Sequence, residues 1–112
     1  MPEKVDNIVH KFAKQVRGIY GNSLKKVLVY GSYARGDYQE NSDVDIMILV
    51  DVDDDEIKKR FNTVCDLAYE YELEYGIVIS ALVKNEEHFT KWSKSLPFYQ
   101  NVMREGVTIN EI

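Results

Sequence analysis

Gly31-Ser32-Tyr33-Ala34-Arg35-Gly36-Asp37-Tyr38-Gln39-Glu40-Asn41-Ser42-Asp43-Val44-Asp45 is the stretch whose reading decides the fold. Before it stands Lys26-Val27-Leu28-Val29-Tyr30, a short β-branched run, and after it Ile46-Met47-Ile48-Leu49-Val50, a longer apolar one. Both patterns predict strands. Side chains alternate along a strand, so Asp43 and Asp45 are expected to share one face while Val44, Ile46 and Ile48 take the other. Two like charges at the head of an otherwise buried strand repel, and a cation between them relieves the cost. Mg2+ suits such a pair, because it takes oxygen ligands and is completed by substrate phosphates and waters. Zinc does not: His10 and His88 lie far apart and Cys65 is alone.

The Gly31-Ser32 turn supplies the other half of a site. Glycine lets the backbone approach a ligand closely at a strand end, and a serine opening a short helix presents its hydroxyl and free N–H groups, which together suit an anion. A triphosphate on this turn, with its metal ions on Asp43 and Asp45, points to phosphoryl or nucleotidyl transfer. Each half also has an ordinary reading. Gly-Ser after a strand is a common turn, and Asp-X-Asp alone serves equally as a turn cap on a wet edge. The combination is the informative feature, since it forms a complete site within one strand–turn–strand unit.

The segment Gly31-Ser32-X10-Asp43-X-Asp45 resembles the signature of DNA polymerase β-like nucleotidyltransferases. It is most similar to the minimal nucleotidyltransferases, the MntA-like antitoxins paired with HEPN-domain toxins, through Ala34-Arg35-Gly36-Asp37 and Ser42. The resemblance is specific over residues 27 to 50. It implies an α/β palm using Mg-ATP, with Gly31 and Ser32 holding phosphates and Asp43 and Asp45 binding metal ions and carrying catalysis. Arg35 has two expected destinations, the triphosphate or a carboxylate such as Asp37 or Asp45.

The rest of the chain is expected to build a single domain over residues 1–112, a small mixed sheet of three to four strands flanked by helices. Residues 4 to 20 carry Val5, Ile8, Val9, Phe12, Ala13, Val16 and Ile19 at helical spacing. The acidic run Asp51 to Glu56 reads as the start of a second helix, with Asp53 or Asp54 as its cap. From about residue 54 to 72, Ile57, Phe61, Val64, Cys65, Ala68 and Tyr71 share a face, which makes Cys65 a small buried residue. Gly76 to Val83 reads as a third strand, entered through that crossover helix. A helix opens at Asn85 around Phe89 and Trp92. Pro97 starts a last short helix that ends at Gly106, before a β-prone tail, Val107 to Ile109.

Composition narrows the partners. A net charge of −5 over 112 residues disfavours nucleic acid, which needs a basic face. No apolar run approaches the ~20 residues of a membrane span, there is no leader-like segment, and a lone cysteine suits a reducing interior, so a cytoplasmic location is expected. The eight tyrosines, Tyr33 and Tyr38 among them, are read chiefly as packing.

The resemblance also implies a third acid on the neighbouring strand, and Gly76 to Val83 has none. Glu74 and Ser80 are the nearest candidates, and neither fits well. Two hypotheses follow. One is an enzyme transferring AMP to a hydroxyl, in particular a tyrosine on a HEPN-type partner; the other is an antitoxin-like binding module with weak or no turnover. Adenylylation of a small molecule is a third, disfavoured by the chain's shortness.

Overall fold

The run Ile46 to Val50 is apolar at every position because its strand is covered on both faces. A computed structural model describes residues 1–109. Its order is α1 (Glu3–Tyr20), β1 (Leu24–Tyr30), α2 (Ser32–Arg35), β2 (Val44–Val50), α3 (Asp54–Tyr75), β3 (Ile79–Asn85), α4 (Glu86–Trp92), α5 (Pro97–Glu105) and β4 (Val107–Thr108). The sheet runs β3-β2-β1-β4. β1 pairs antiparallel with β2 and β4, while β2 and β3 are parallel, a pairing that needs the long crossover α3 provides. This is the mixed α/β palm expected from the sequence.

Strand alternation divides the interior in two. Val44, Ile46, Ile48 and Val50 point into the larger core, built with Val9, Phe12 and Val16 of α1 and Val64 and Tyr71 of α3. Met47 and Leu49 point the other way, onto Leu28, Tyr30, Phe89 of α4 and Val102 of α5. Phe12 and Phe89 are the largest fully buried side chains of the two clusters. Truncating either to Ala would cost about 3–5 kcal/mol. By the same alternation Asp45 lies on the smaller-core face, beneath α5.

The helix boundaries follow from caps. Asp53 caps α3 by accepting from the Glu56 N–H at 3.0 Å, and Asn85 caps α4 by accepting from His88 N–H at 3.0 Å. The acidic run is therefore a helix start, as read from the sequence.

Four expectations need correction. The third strand begins at Ile79 rather than Gly76 and runs to Asn85, because Gly76 is the left-handed cap of α3 at φ 69°. α3 consequently extends to Tyr75, and Glu74 is an exposed helix residue rather than the strand's entrance. Cys65 is exposed, since Val64 occupies the buried stripe and the next helical position turns away from it. In α1, Tyr20 completes the buried stripe while Ile19 is only partly covered. The β-prone tail does form a strand, Val107–Thr108 on Leu28 and Val29, and Ile109 N–H donates to Val27 O at 2.8 Å.

Candidate functional site

β1 delivers the chain into the Gly31 turn. Gly31 has φ 74°, a conformation open to glycine at little cost. A side chain there is excluded for a second reason. A Cβ on Gly31 would overlap the Asp45 Oδ2 and stand 3.2 Å from its Cγ. The absence of a side chain is what lets the turn and the Asp45 carboxylate touch.

α2 is one turn of helix, closed by Gly36 in the left-handed region at φ 87°. So short a helix carries little dipole, and any attraction for an anion rests on individual N–H groups rather than on a macrodipole. Among the described residues no partner takes the Ser32 hydroxyl. Tyr33 is buried in the larger core and stacks on Tyr38, with ring centroids 4.6 Å apart. These two rings pack the loop, as read from the sequence. Ser42 then tightens the approach to β2: its Oγ accepts from Gln39 N–H at 2.8 Å, and its N–H donates to Gln39 O at 3.0 Å.

β1 and β2 register Tyr30 against Asp45. Asp43, just before β2, is exposed, whereas Asp45 is half-buried. Burial raises the Asp45 pKa first, and the neighbouring Asp43 charge raises it further. Arg35 opposes the shift and Glu105 adds to it. Burial, with a smaller push from Asp45, also lifts the Tyr30 phenol to about 12. Asp43 and Asp45 are thus electrostatically coupled, with hard oxygen donors partly open to water. Such a pair fits Mg2+, whose other ligands would be phosphate oxygens and water. Among the described residues no three His, Cys, Asp or Glu side chains converge as a metal cluster. On the adjoining strand Ser80, not a carboxylate, stands in register with Asp45.

Arg35 takes the carboxylate destination. Its Nε donates to Asp37 Oδ2 at 3.2 Å, and its Nη1 donates to Glu105 Oε1 at 3.2 Å. Glu105 also accepts from the Gly31 N–H at 3.1 Å. Sequence reasoning missed this residue. It lies 74 positions from Gly31, at the end of a different helix, and no local pattern marks it.

The structure therefore brings Gly31, Arg35, Asp43 and Asp45 into one electrostatic neighbourhood, with Ser32 at the head of α2, and adds Glu105. A cleft of about 510 Å³ lined by Asp51, Asn85, Glu86, Glu87, Thr90, Lys91 and Lys94 lies at the opposite end of β2, away from these groups.

A family model described as "Nucleotidyltransferase domain" matches residues 9–105. Two proteins of Methanocaldococcus jannaschii named putative protein adenylyltransferase are similar to this chain. One is 41% identical over 104 residues, covering 90% of this chain and 93% of its own length; the other is 38% identical over 80 residues, covering 71% and 79%. Among solved structures, a toxin–antitoxin with AMP-PNP aligns with a TM-score of 0.53 at 17% identity, covering 88% of this chain and 70% of that one. A mutant of the MntA–HpeT toxin–antitoxin aligns with a TM-score of 0.53 at 16% identity, covering 92% and 70%. These two share the fold. Among the described residues no helix is long and apolar enough to cross a membrane. With the family match spanning both halves of the site and most of the chain, this protein belongs to the nucleotidyltransferase domain family and is a nucleotidyltransferase.

Proposed function

We propose that this nucleotidyltransferase moves AMP from Mg-ATP to a hydroxyl on a partner protein, specifically a tyrosine of a HEPN-type toxin, and so acts as its antitoxin. The observation that carries the reading is the contact between the Gly31 turn and the Asp45 carboxylate, which joins a phosphate-binding backbone to a metal-binding side chain. Gly31, Ser32 and Arg35 hold the triphosphate. Asp43 and Asp45 would hold Mg2+, which would neutralise phosphate charge and polarise the reacting phosphoryl group. The acceptor oxygen forms a bond to the α-phosphorus, the bond from that phosphorus to the bridging oxygen breaks, and pyrophosphate leaves. The hydroxyl proton passes to water. The similarity to proteins named protein adenylyltransferases supports a protein acceptor, and the toxin–antitoxin neighbours, one with AMP-PNP, support a partner and a nucleotide. The whole of residues 1–112 forms one catalytic domain working in the cytoplasm, and its acceptor comes from outside the chain.

Ser80 beside Asp45 favours a second reading, in which turnover is slow and neutralisation proceeds by contact. ATP labelled at the α-phosphate separates the two. Transfer of label to a co-purified partner, abolished in the Asp43→Asn/Asp45→Asn double variant, is the expected result. Undiminished transfer by that variant refutes the assignment of the two aspartates, and neutralisation without any label in the partner supports the contact reading.

A further inference from the structure

Glu105 is a carboxylate that reaches the Gly31 turn yet has no place in the chemistry above. It ends α5, its side chain is 18% exposed, and it is held on two sides. Oε1 accepts from the Gly31 N–H at 3.1 Å and from Arg35 Nη1 at 3.2 Å, and Oε2 lies 3.5 Å from the same Nη1. One backbone N–H and one guanidinium converging on an anion are the donors that a phosphate group recruits. Both belong to the turn and helix assigned above to phosphate. Glu105 also stands close enough to Asp45 to act on its charge, so a triphosphate and this carboxylate would crowd the same negative ground.

We propose that Glu105 is a resident mimic of phosphate, which the nucleotide must displace from Gly31 and Arg35 in order to bind. The inference rests on the nucleotide reading of the site. Displacement asks little of the fold. Glu105 is the last residue of α5, and α5 is anchored independently by Val102 in the smaller core, so rotation of one side chain vacates the turn. The guanidinium released at the same moment stays bound to Asp37 through Nε and turns its freed Nη1 to the incoming phosphate. Glu105 thereby sets the nucleotide concentration at which the enzyme loads.

The direction separates this role from two others. A third catalytic acid or a mere structural brace at position 105 would make its removal harmful or neutral to nucleotide binding, whereas a competitor's removal tightens it. Calorimetric titration of the full chain with Mg-ATP, and separately with inorganic tripolyphosphate, is the test, on wild type, Glu105→Gln and Glu105→Ala. Gln keeps the shape and one oxygen acceptor but loses the charge, so it guards against a folding failure in the Ala variant. Both variants are expected to bind both ligands about three- to tenfold more tightly, a range discounted for the exposure of Arg35. Wild-type binding with no gain in either variant overturns the displacement role and leaves the nucleotide reading intact. A gain for ATP but none for tripolyphosphate overturns it too, because the competition is for phosphate. Failure of all three proteins to bind either ligand refutes the nucleotide reading itself.

Discussion

Gly31→Ala should be the most damaging single-methyl change near the site, and the structure says how the damage divides. The first part is backbone strain, since at φ 74° and ψ −154° the residue occupies a region essentially confined to glycine, where an L side chain costs about 1–3 kcal/mol. The second is overlap of the new Cβ with the Asp45 carboxylate, whose Cγ would be 3.2 Å away and Cβ 3.4 Å. Overpacking of this kind costs about 1–3 kcal/mol. The total of about 2–6 kcal/mol is large against the 5–15 kcal/mol typical of a domain. Gly36→Ala is a reference for positive-φ strain without overlap, milder than that at Gly31 because Gly36 is left-handed at φ 87° and ψ 6°, with nothing within 4 Å of its would-be Cβ. Asp45→Ala removes the obstacle, so the Gly31→Ala/Asp45→Ala cycle should show a favourable coupling of about 1–3 kcal/mol. Urea unfolding with matched m-values measures all the terms. A coupling below about 0.5 kcal/mol, or a Gly31→Ala cost no greater than that of Gly36→Ala, refutes the contact between turn and carboxylate. If the carboxylate escapes by rotating, stability is partly recovered while Mg-ATP binding is not, so the two readouts diverge.

Asp45 should leave a signature in pH. Its folded pKa is raised, so the native state holds the proton more readily than the unfolded chain. The resulting destabilisation is absent below the ordinary value of 3.8, grows as pH rises through the folded pKa, and is complete above it. Asp45→Asn should therefore raise the apo protein's stability at pH 7, by less than about 1 kcal/mol because the carboxylate keeps some water, and the gain should vanish near pH 3; a lower Tm at pH 7 contradicts the electrostatics. Ser80→Asp puts an acid in register with Asp45 and should tighten Mg2+ binding and speed AMP transfer, at about 1 kcal/mol in apo stability. If neither quantity rises, β3 is the wrong place for a third acid. Cys65 is exposed on α3 and should react with a thiol reagent in the native state nearly as fast as a free thiol, whereas protection until unfolding would return it to the core.

What was legible in the sequence was local. Strand alternation from Val44 to Val50, the helical stripe from Val5 to Val16 and the Asp53 and Asn85 caps depend on neighbours a few residues apart, and each survives in the structure, although β2 begins at Val44 and leaves Asp43 just outside the strand. The misreadings have equally local causes. Gly76 suits both a strand's start and a helix's left-handed cap, and only the length of α3 decides between them. Cys65 follows Val64, and both fall near the α3 stripe until packing against the sheet selects the 57, 61, 64, 68 and 71 series. Glu105 is a different case. Nothing near it in the chain announces a ligand for Gly31, and its placement depends on α5 crossing the face of the sheet that carries Asp45 and on β4 docking beside β1. On the proposed reading, the signature supplies the groups that meet phosphate and metal, while Glu105, outside it on the helix that seals the smaller core, governs whether those groups are free to do so.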